Sequence, residues 1–266
     1  MVSLQSQPLF YSSTYHHYSY EFNANIFRVI RWYEDIHTQE PTWQKPTEPL
    51  LHQAAKNGLQ EEVKILLQGV ADITIKDDNG RTALHWAAEN GHVEVVRILL
   101  EKGVDNEATG RLGWTALHCA AASGHEAVVR LLLEKGVHFE ALESNSQSAL
   151  HFAATNGHEA IVRLLLQKGA NAEAKSTAGW TALHCAAASG HDAVVRLLLE
   201  TGGSDIESRE NMEQTALHWA AWNGHGAVVR LLLQKGADIE ARGTYKKTAL
   251  DWATIRGHGS IIQLLS

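Results

Sequence analysis

Cysteine and proline are scarce in this chain: two Cys and four Pro among 266 residues. So few cysteines exclude a disulfide-dense secreted scaffold, and no Asn-x-Ser/Thr acceptor occurs, which agrees with a reducing compartment. The expected location is intracellular, cytoplasmic or nuclear. No apolar run approaches the roughly 18 residues of a membrane span, and the N-terminus lacks the basic, apolar, small-residue order of a secretory signal, so no membrane is expected among the partners. Positive charge is in deficit too. With 23 Lys and Arg against 30 Asp and Glu the formal net charge is -7, which offers phosphate backbones no general attraction, and nucleic acid is not an expected partner. HExxH, Walker, GxSxG and GxGxxG motifs are all missing. No enzymatic activity and no cofactor are expected.

What the chain has instead is an internal repeat. RTALHWAAENGH, WTALHCAAASGH, QSALHFAATNGH, WTALHCAAASGH, QTALHWAAWNGH and KTALDWATIRGH begin at 81, 114, 147, 180, 214 and 247, at steps of 33, 33, 33, 34 and 33. A worn copy, EPLLHQAAKNGL, begins at 48, which makes about seven units. The one extra residue falls near Gly202 and Gly203.

Each unit spells two short helices. Thr82 stands where an N-cap is needed, and Leu84, Ala87 and Ala88 form an apolar stripe at helical spacing. Gly91, matched in every unit, stops the helix where the chain must turn through a left-handed conformation. A second helix, VEVVRILLEKG in that unit, puts its Val and Leu residues on one face; Glu126 and Arg130, or Glu159 and Arg163, lie four apart on the other. A polar stretch with turn chemistry such as Asp78-Asn79-Gly80 leads to the next unit.

The period, the TALH element, the GH that opens the second helix and the LLLxKGAD ending resemble ankyrin repeats, over roughly residues 45–266. The resemblance implies an all-α solenoid of helix-turn-helix units joined by β-hairpin-like loops, with loops and first helices lining a concave binding face. It implies a non-enzymatic scaffold whose partner is another protein. Two departures stand out. Ala replaces the usual proline after the Thr, and in the last unit Asp251 replaces the TALH histidine, so Thr248-Ala-Leu-Asp251 resembles a capping box, as suits a terminal unit.

The stretch HCAAASGH, present at 118–125 and 184–191, sets a cysteine between two histidines. Histidines of the TALH and GH slots make up twelve of the sixteen in the chain, a column better explained by framework hydrogen bonds than by six metal sites. His118 and His125 are seven residues apart, about 10 Å along a helix that Gly124 ends, too far to share a zinc ion bound at about 2 Å. No metal site is expected. Cys119 and Cys185 sit two units apart, roughly 20 Å at about 10 Å per packed helix, beyond disulfide reach. Cys-His catalysis needs an activated thiolate and an orienting third group, and Cys119 has no acid at helical spacing on its own face, so no catalytic residue is assigned.

Binding candidates come from the variable slots. The residue after the TALH histidine, on the face opposite the Leu/Ala stripe, is Trp86, Phe152, Trp219 or Trp252 in four units, and Trp222 and Ile255 follow three positions later. Trp114 and Trp180 precede the Thr of their units; Met212 and Tyr245 stand in the later loops, and Arg256 lies beside Ile255. Aromatic residues and arginine anchor protein interfaces, so these eleven residues are the expected partner-binding set. The competing expectation is that the rings fill space between neighbouring units. A Trp-lined groove holding or carrying an apolar small molecule is the alternative function.

The ends differ from the array. Residues 1–44 read as a flexible segment, rich in Tyr and Ser near its start, with a helix over 25–37 whose Ile26, Val29, Ile30, Tyr33 and Ile36 share a face. That helix suits a cap on the first repeat, or else recruits a partner. At the other end Ile261, Ile262, Leu264 and Leu265 are apolar for a terminal unit, which points to a longer array or to self-association there.

Overall fold

The computed structural model describes residues 49–69, 71–201 and 203–266. The expected N-terminal segment 1–44 and its helix over 25–37 lie outside the described residues. Fourteen α-helices follow one another in seven pairs among the described residues, with no strand: α1 Leu50–Lys56 with α2 Gln60–Gln68, α3 Ala83–Glu89 with α4 Val93–Glu101, α5 Ala116–Ser123 with α6 Glu126–Glu134, α7 Ala149–Thr155 with α8 Glu159–Gln167. The array continues with α9 Ala182–Ser189 and α10 Asp192–Thr201, α11 Ala216–Asn223 and α12 Gly226–Gln234, α13 Ala249–Arg256 and α14 Gly259–Leu265. None of these helices is long and apolar enough to cross a membrane. The extra residue of the fifth unit lengthens α10 by one position and is taken up before Gly203, whose φ is 64°.

The first helices stack on one another more closely than the second ones do, which bends the stack so that the first helices and the loops form its concave side. Alanine explains the close approach: Ala87, Ala120, Ala153, Ala186, Ala220 and Ala253 are wholly buried and hold adjacent backbones at short range. The second helices bury leucines instead. Leu99, Leu132, Leu165, Leu198 and Leu232 lose all solvent contact, each worth about 1.5–3 kcal/mol of apolar burial. Their outer faces carry ion pairs, Arg130 with Glu126 at 2.6 Å and Arg163 with Glu159 at 2.7 Å, both solvent-exposed and worth at most about 0.5 kcal/mol apiece.

The expected caps form, with a partner the sequence did not suggest. Backbone N–H groups of Thr82, Thr115, Ser148, Thr181 and Thr215 donate to Nδ1 of the TALH histidine three residues on, at 3.1–3.2 Å. The histidine thus does what Glu or Gln does in an ordinary capping box, and Asp251 does it in the last unit. With Nδ1 accepting, the proton sits on Nε2 and reaches forward into the next unit: His85 donates to the Trp114 carbonyl at 2.9 Å, His118 to Ala141, His151 to Trp180 and His184 to Gln214.

Histidines of the GH slot reach the other way. His125 Nε2 donates to the Glu89 carbonyl of the preceding unit at 2.9 Å, and His92, His158, His191, His225 and His258 repeat the bond at 2.9–3.1 Å. Every internal unit is therefore tied forward by one imidazole and backward by another.

The loops are tight turns linked edge to edge. Gly110 N–H donates to the Trp114 carbonyl within one loop, and single bonds cross between loops, from Arg111 to Asn79, Ser144 to Leu112, Thr177 to Asn145, Asn211 to Ala178 and Thr244 to Met212, at 2.6–3.2 Å. The β-hairpin-like expectation holds as a chain path, with too few bonds per step for a ladder.

Candidate partner-binding face

All six tryptophans of the array, with Phe152, stand on the first helices or in the loops that lead to them and are half-buried. Their surroundings divide them into three groups. Trp86 is saturated by its own chain: its indole N–H donates to Asp77 Oδ2 at 3.0 Å, Lys56 Nζ stands 4.3 Å from the ring centroid and the Arg81 guanidinium 4.8 Å. Arg81 is itself held by Glu89 at 2.6 Å.

The second group spans neighbouring units. Trp114 packs on Phe152 with centroids 4.4 Å apart, and Trp180 on Trp219 at 4.7 Å, both tilted by about half a right angle. Rings so placed fill the step between units, as the packing alternative expects, while their outer edges remain open to the groove. Beside Trp114 a hollow of about 640 Å³ opens where Cys119 replaces a ring, floored by Cys119 and edged by Arg81, Glu89, Arg111 and Asn156.

The third group converges. Trp219 and Trp222 from α11 and Trp252 from α13 meet Met212 and Tyr245 from the last two loops around an apolar pocket of about 220 Å³. Trp222 and Trp252 stand edge to face, 4.8 Å between centroids at 77°. Trp252 donates its indole N–H to Gln214 Oε1 at 3.2 Å, whereas the buried N–H of Trp219 has no acceptor. The difference has a local cause, since the slot that holds Gln214 ahead of Trp252 holds Trp180 ahead of Trp219. Met212 is 52% exposed, Tyr245 82% and Ile255 54%; in earlier loops Leu112 and Leu142 reach 60% and 53%, so only Tyr245 stands well above the rest. Tyr245 and Lys246 both have positive φ, 58° and 56°, a strained conformation for residues with a Cβ that Leu112 shares at 63° in an earlier loop.

Gln214, His218 and Thr244 also line this pocket and were not singled out from sequence. Gln214 fills the slot of Trp114 and Trp180, so the column pointed to the position although the residue type did not. Arg256 extends over Trp222, 4.8 Å from guanidinium to centroid, and Lys247 over Trp252 at 5.8 Å.

The cysteines are placed for packing. Both are free and buried; loss of solvent pushes the Cys119 thiol up to about 12 against the opposing pull of Arg81, and that of Cys185 up to about 11. A thiolate is not populated at neutral pH at either site. Among the described residues no group of three or more His, Cys, Asp or Glu side chains is placed to hold a metal ion.

A stack of paired helices with two histidine ties per unit and a groove walled by first helices and loop tips defines a helical repeat solenoid. The family model for ankyrin repeats, in three copies, matches residues 51–142, 139–210 and 202–266, and the chain belongs to that family. Among solved structures it is similar to the human ASB11 ankyrin repeat domain, with a TM-score of 0.74 and 28% identity over 84% of this chain and 98% of that one. No curated protein matches the chain.

Proposed function

We propose that this chain is a non-enzymatic scaffold that binds another protein along its concave face, chiefly through the aromatic groups of the last two units. Ankyrin repeats are in general protein-interaction modules, and that supports the class of function. The observation that carries the finer reading is the open pocket framed by Trp219, Trp222, Trp252, Met212 and Tyr245, with Tyr245 82% exposed. Exposed apolar patches of this kind mark contact surfaces, and Trp, Tyr and Arg are their usual anchors. The net negative charge supports a protein partner over nucleic acid, and two free thiols suit an intracellular setting.

Size and lining together argue against the small-molecule alternative: the larger hollow beside Trp114, about 640 Å³, is edged mostly by charged and polar side chains, and the Trp-lined pocket is small. Sites that enclose whole ligands run to about 300–1,000 Å³, and this pocket, about 220 Å³ and open to the groove, suits a single side chain of a larger partner. Self-association through the C-terminal unit is also less favoured, because Ile261 and Leu265 turn into the core and only Ile262 and Leu264 stay half-buried.

The test is affinity capture from the source cell with the wild-type chain beside a Met212→Ala, Tyr245→Ala variant, two exposed positions whose loss leaves the helices intact. Proteins held by the wild type and lost by the variant support the reading. Equal capture by both would move the binding surface off this end of the array.

A further inference from the structure

We infer that the pocket at the C-terminal end of the concave face recognises a partner segment in which one large apolar side chain is flanked by carboxylates. This rests on the protein-binding reading above and adds the chemistry of the partner.

The pocket supplies the apolar half of that description. Trp222 and Trp252 meet edge to face at 4.8 Å and make two walls, with Trp219 beside them and Met212 and Tyr245 rising from the loops. The lining is almost entirely ring and thioether surface, which suits an aromatic or long aliphatic side chain inserted from the groove.

Charge supplies the other half. Arg256 and Lys247 lie over the two wall rings, and Lys246 follows Tyr245 at the loop tip. Among the described residues none of these three cations has a carboxylate within 4.0 Å, although Arg81, Arg130, Arg163 and Lys235 all do. The nearest acid in sequence, Asp251, accepts the backbone N–H of Thr248 at 2.9 Å and meets Lys247 only as a longer-range charge. In a chain of net charge -7 the α13 side of this pocket thus carries cations with no ion-pair partner within 4.0 Å, while Glu213 beside Met212 on the other side is held by Arg209 at 3.8 Å. Complementary potential at a rim sets orientation and partner choice, so the segment that enters is acidic on either side of its anchor.

The same cations argue against a cationic ligand. Aromatic walls can serve as a cage for a quaternary ammonium group, but here Arg256 and Lys247 already occupy positions over those rings, and a further cation would meet like charge at close range.

The test uses the full chain and four fluorescein-labelled nonapeptides: Ser-Gly-Asp-Glu-Trp-Glu-Asp-Gly-Ser, its counterpart with Ala for Trp, its counterpart with Ser for the four acids, and its counterpart with Lys for the four acids. Fluorescence anisotropy is read for the wild type and for a Lys247→Glu, Arg256→Glu variant whose melting and circular dichroism match the wild type. The acidic tryptophan peptide is expected to bind at least about tenfold tighter than the other three, with an affinity that falls as salt rises, and the charge-reversed variant is expected to lose about tenfold and to prefer the lysine peptide. Equal or tighter binding of the neutral or lysine peptide to the wild type overturns the inference, as does unchanged binding by the charge-reversed variant. A wild-type dimer in sedimentation that dissociates in that variant overturns it in favour of a second copy of the chain. If no peptide binds, the inference fails alone, because capture with the Met212 and Tyr245 variant still decides the concave-face reading.

Discussion

His191 lies directly over Gly157. A Cβ built on Gly157 would stand 2.5 Å from Nδ1 of His191, while Nε2 of the same ring bonds to the Thr155 carbonyl at 3.0 Å. The glycine therefore meets two demands at once, a φ of 75° and room for the imidazole of the next unit. Replacing it by valine sets a β-branched side chain in a left-handed conformation and evicts the histidine from its bond. The expected cost exceeds about 2 kcal/mol, read as a lower urea midpoint with the slope preserved. An unchanged midpoint would contradict both roles.

The forward histidines should cost more than the acid that replaces them in the last unit. His151→Ala strands the buried Ser148 N–H and takes from the Trp180 carbonyl one of its two donors, the Ser176 N–H remaining, for an expected loss of about 1–3 kcal/mol. Asp251→Ala removes only a cap at an exposed helix start and should cost at most about 1 kcal/mol. Equal losses in urea unfolding would mean that the link between units carries no weight.

Acid should weaken the array before carboxylate titration explains it. Burial lowers His85, His118, His151 and His218, and takes His184 down to about 4 from an ordinary 6.5. A base depressed on folding binds fewer protons in the native state, so stability is complete above about pH 6.5 and is lost as pH falls through the window toward pH 4. Each histidine contributes a slope of up to about 1.4 kcal/mol per pH unit there. Thermal melting from pH 8 to 4.5 should fall steeply below about 6.5, and a flat profile would contradict the neutral, buried state of these rings.

Cys119 and Cys185 should be silent toward thiol reagents in the native protein. With thiols pushed up to about 12 and about 11 and both side chains buried, the native thiolate fraction at pH 8 is on the order of one in a thousand or less. Labelling should track unfolding in urea. Fast native labelling of either cysteine would place it at an open surface.

Much of the fold was written in columns of identical residues: the 33-residue step, the Thr caps and the glycines all fall where expected. That the histidines serve as framework hydrogen-bonders followed from the resemblance, but which carbonyl each one reaches was not legible, because the partners lie 23 to 37 residues away and any residue type supplies them. Asp251 was the available hint. It keeps the cap of its own helix and drops the forward bond, which separates the two duties of the slot.

Of the site, sequence placed the rings on one side of the stack without saying which would pair. Trp86 and Trp219 fill the same slot, yet the first is clasped by Lys56, Arg81 and Asp77 and the second lies against Trp180, since what neighbouring loops carry at their own variable positions decides the outcome. The pocket depends on three such positions at once, Met212, Gln214 and Tyr245. No single column contains that combination.

The third and fifth units share the same twelve residues, WTALHCAAASGH, and what distinguishes their settings is the ring each meets: Phe152 for Trp114, Trp219 for Trp180. A chain written this way can mistake one address for another. If the third unit docked on the sixth, Trp114 would find an indole in place of a phenyl ring, and the two skipped units would hang as a loop whose closure costs only about 4 kcal/mol. Refolding at high concentration, where a second chain can fill such a gap, is where exchange of whole units between molecules should first become visible. Correct counting along this array therefore belongs to the stack and not to any one unit, because only the native order gives every internal unit the two neighbours its rings and histidines are matched to.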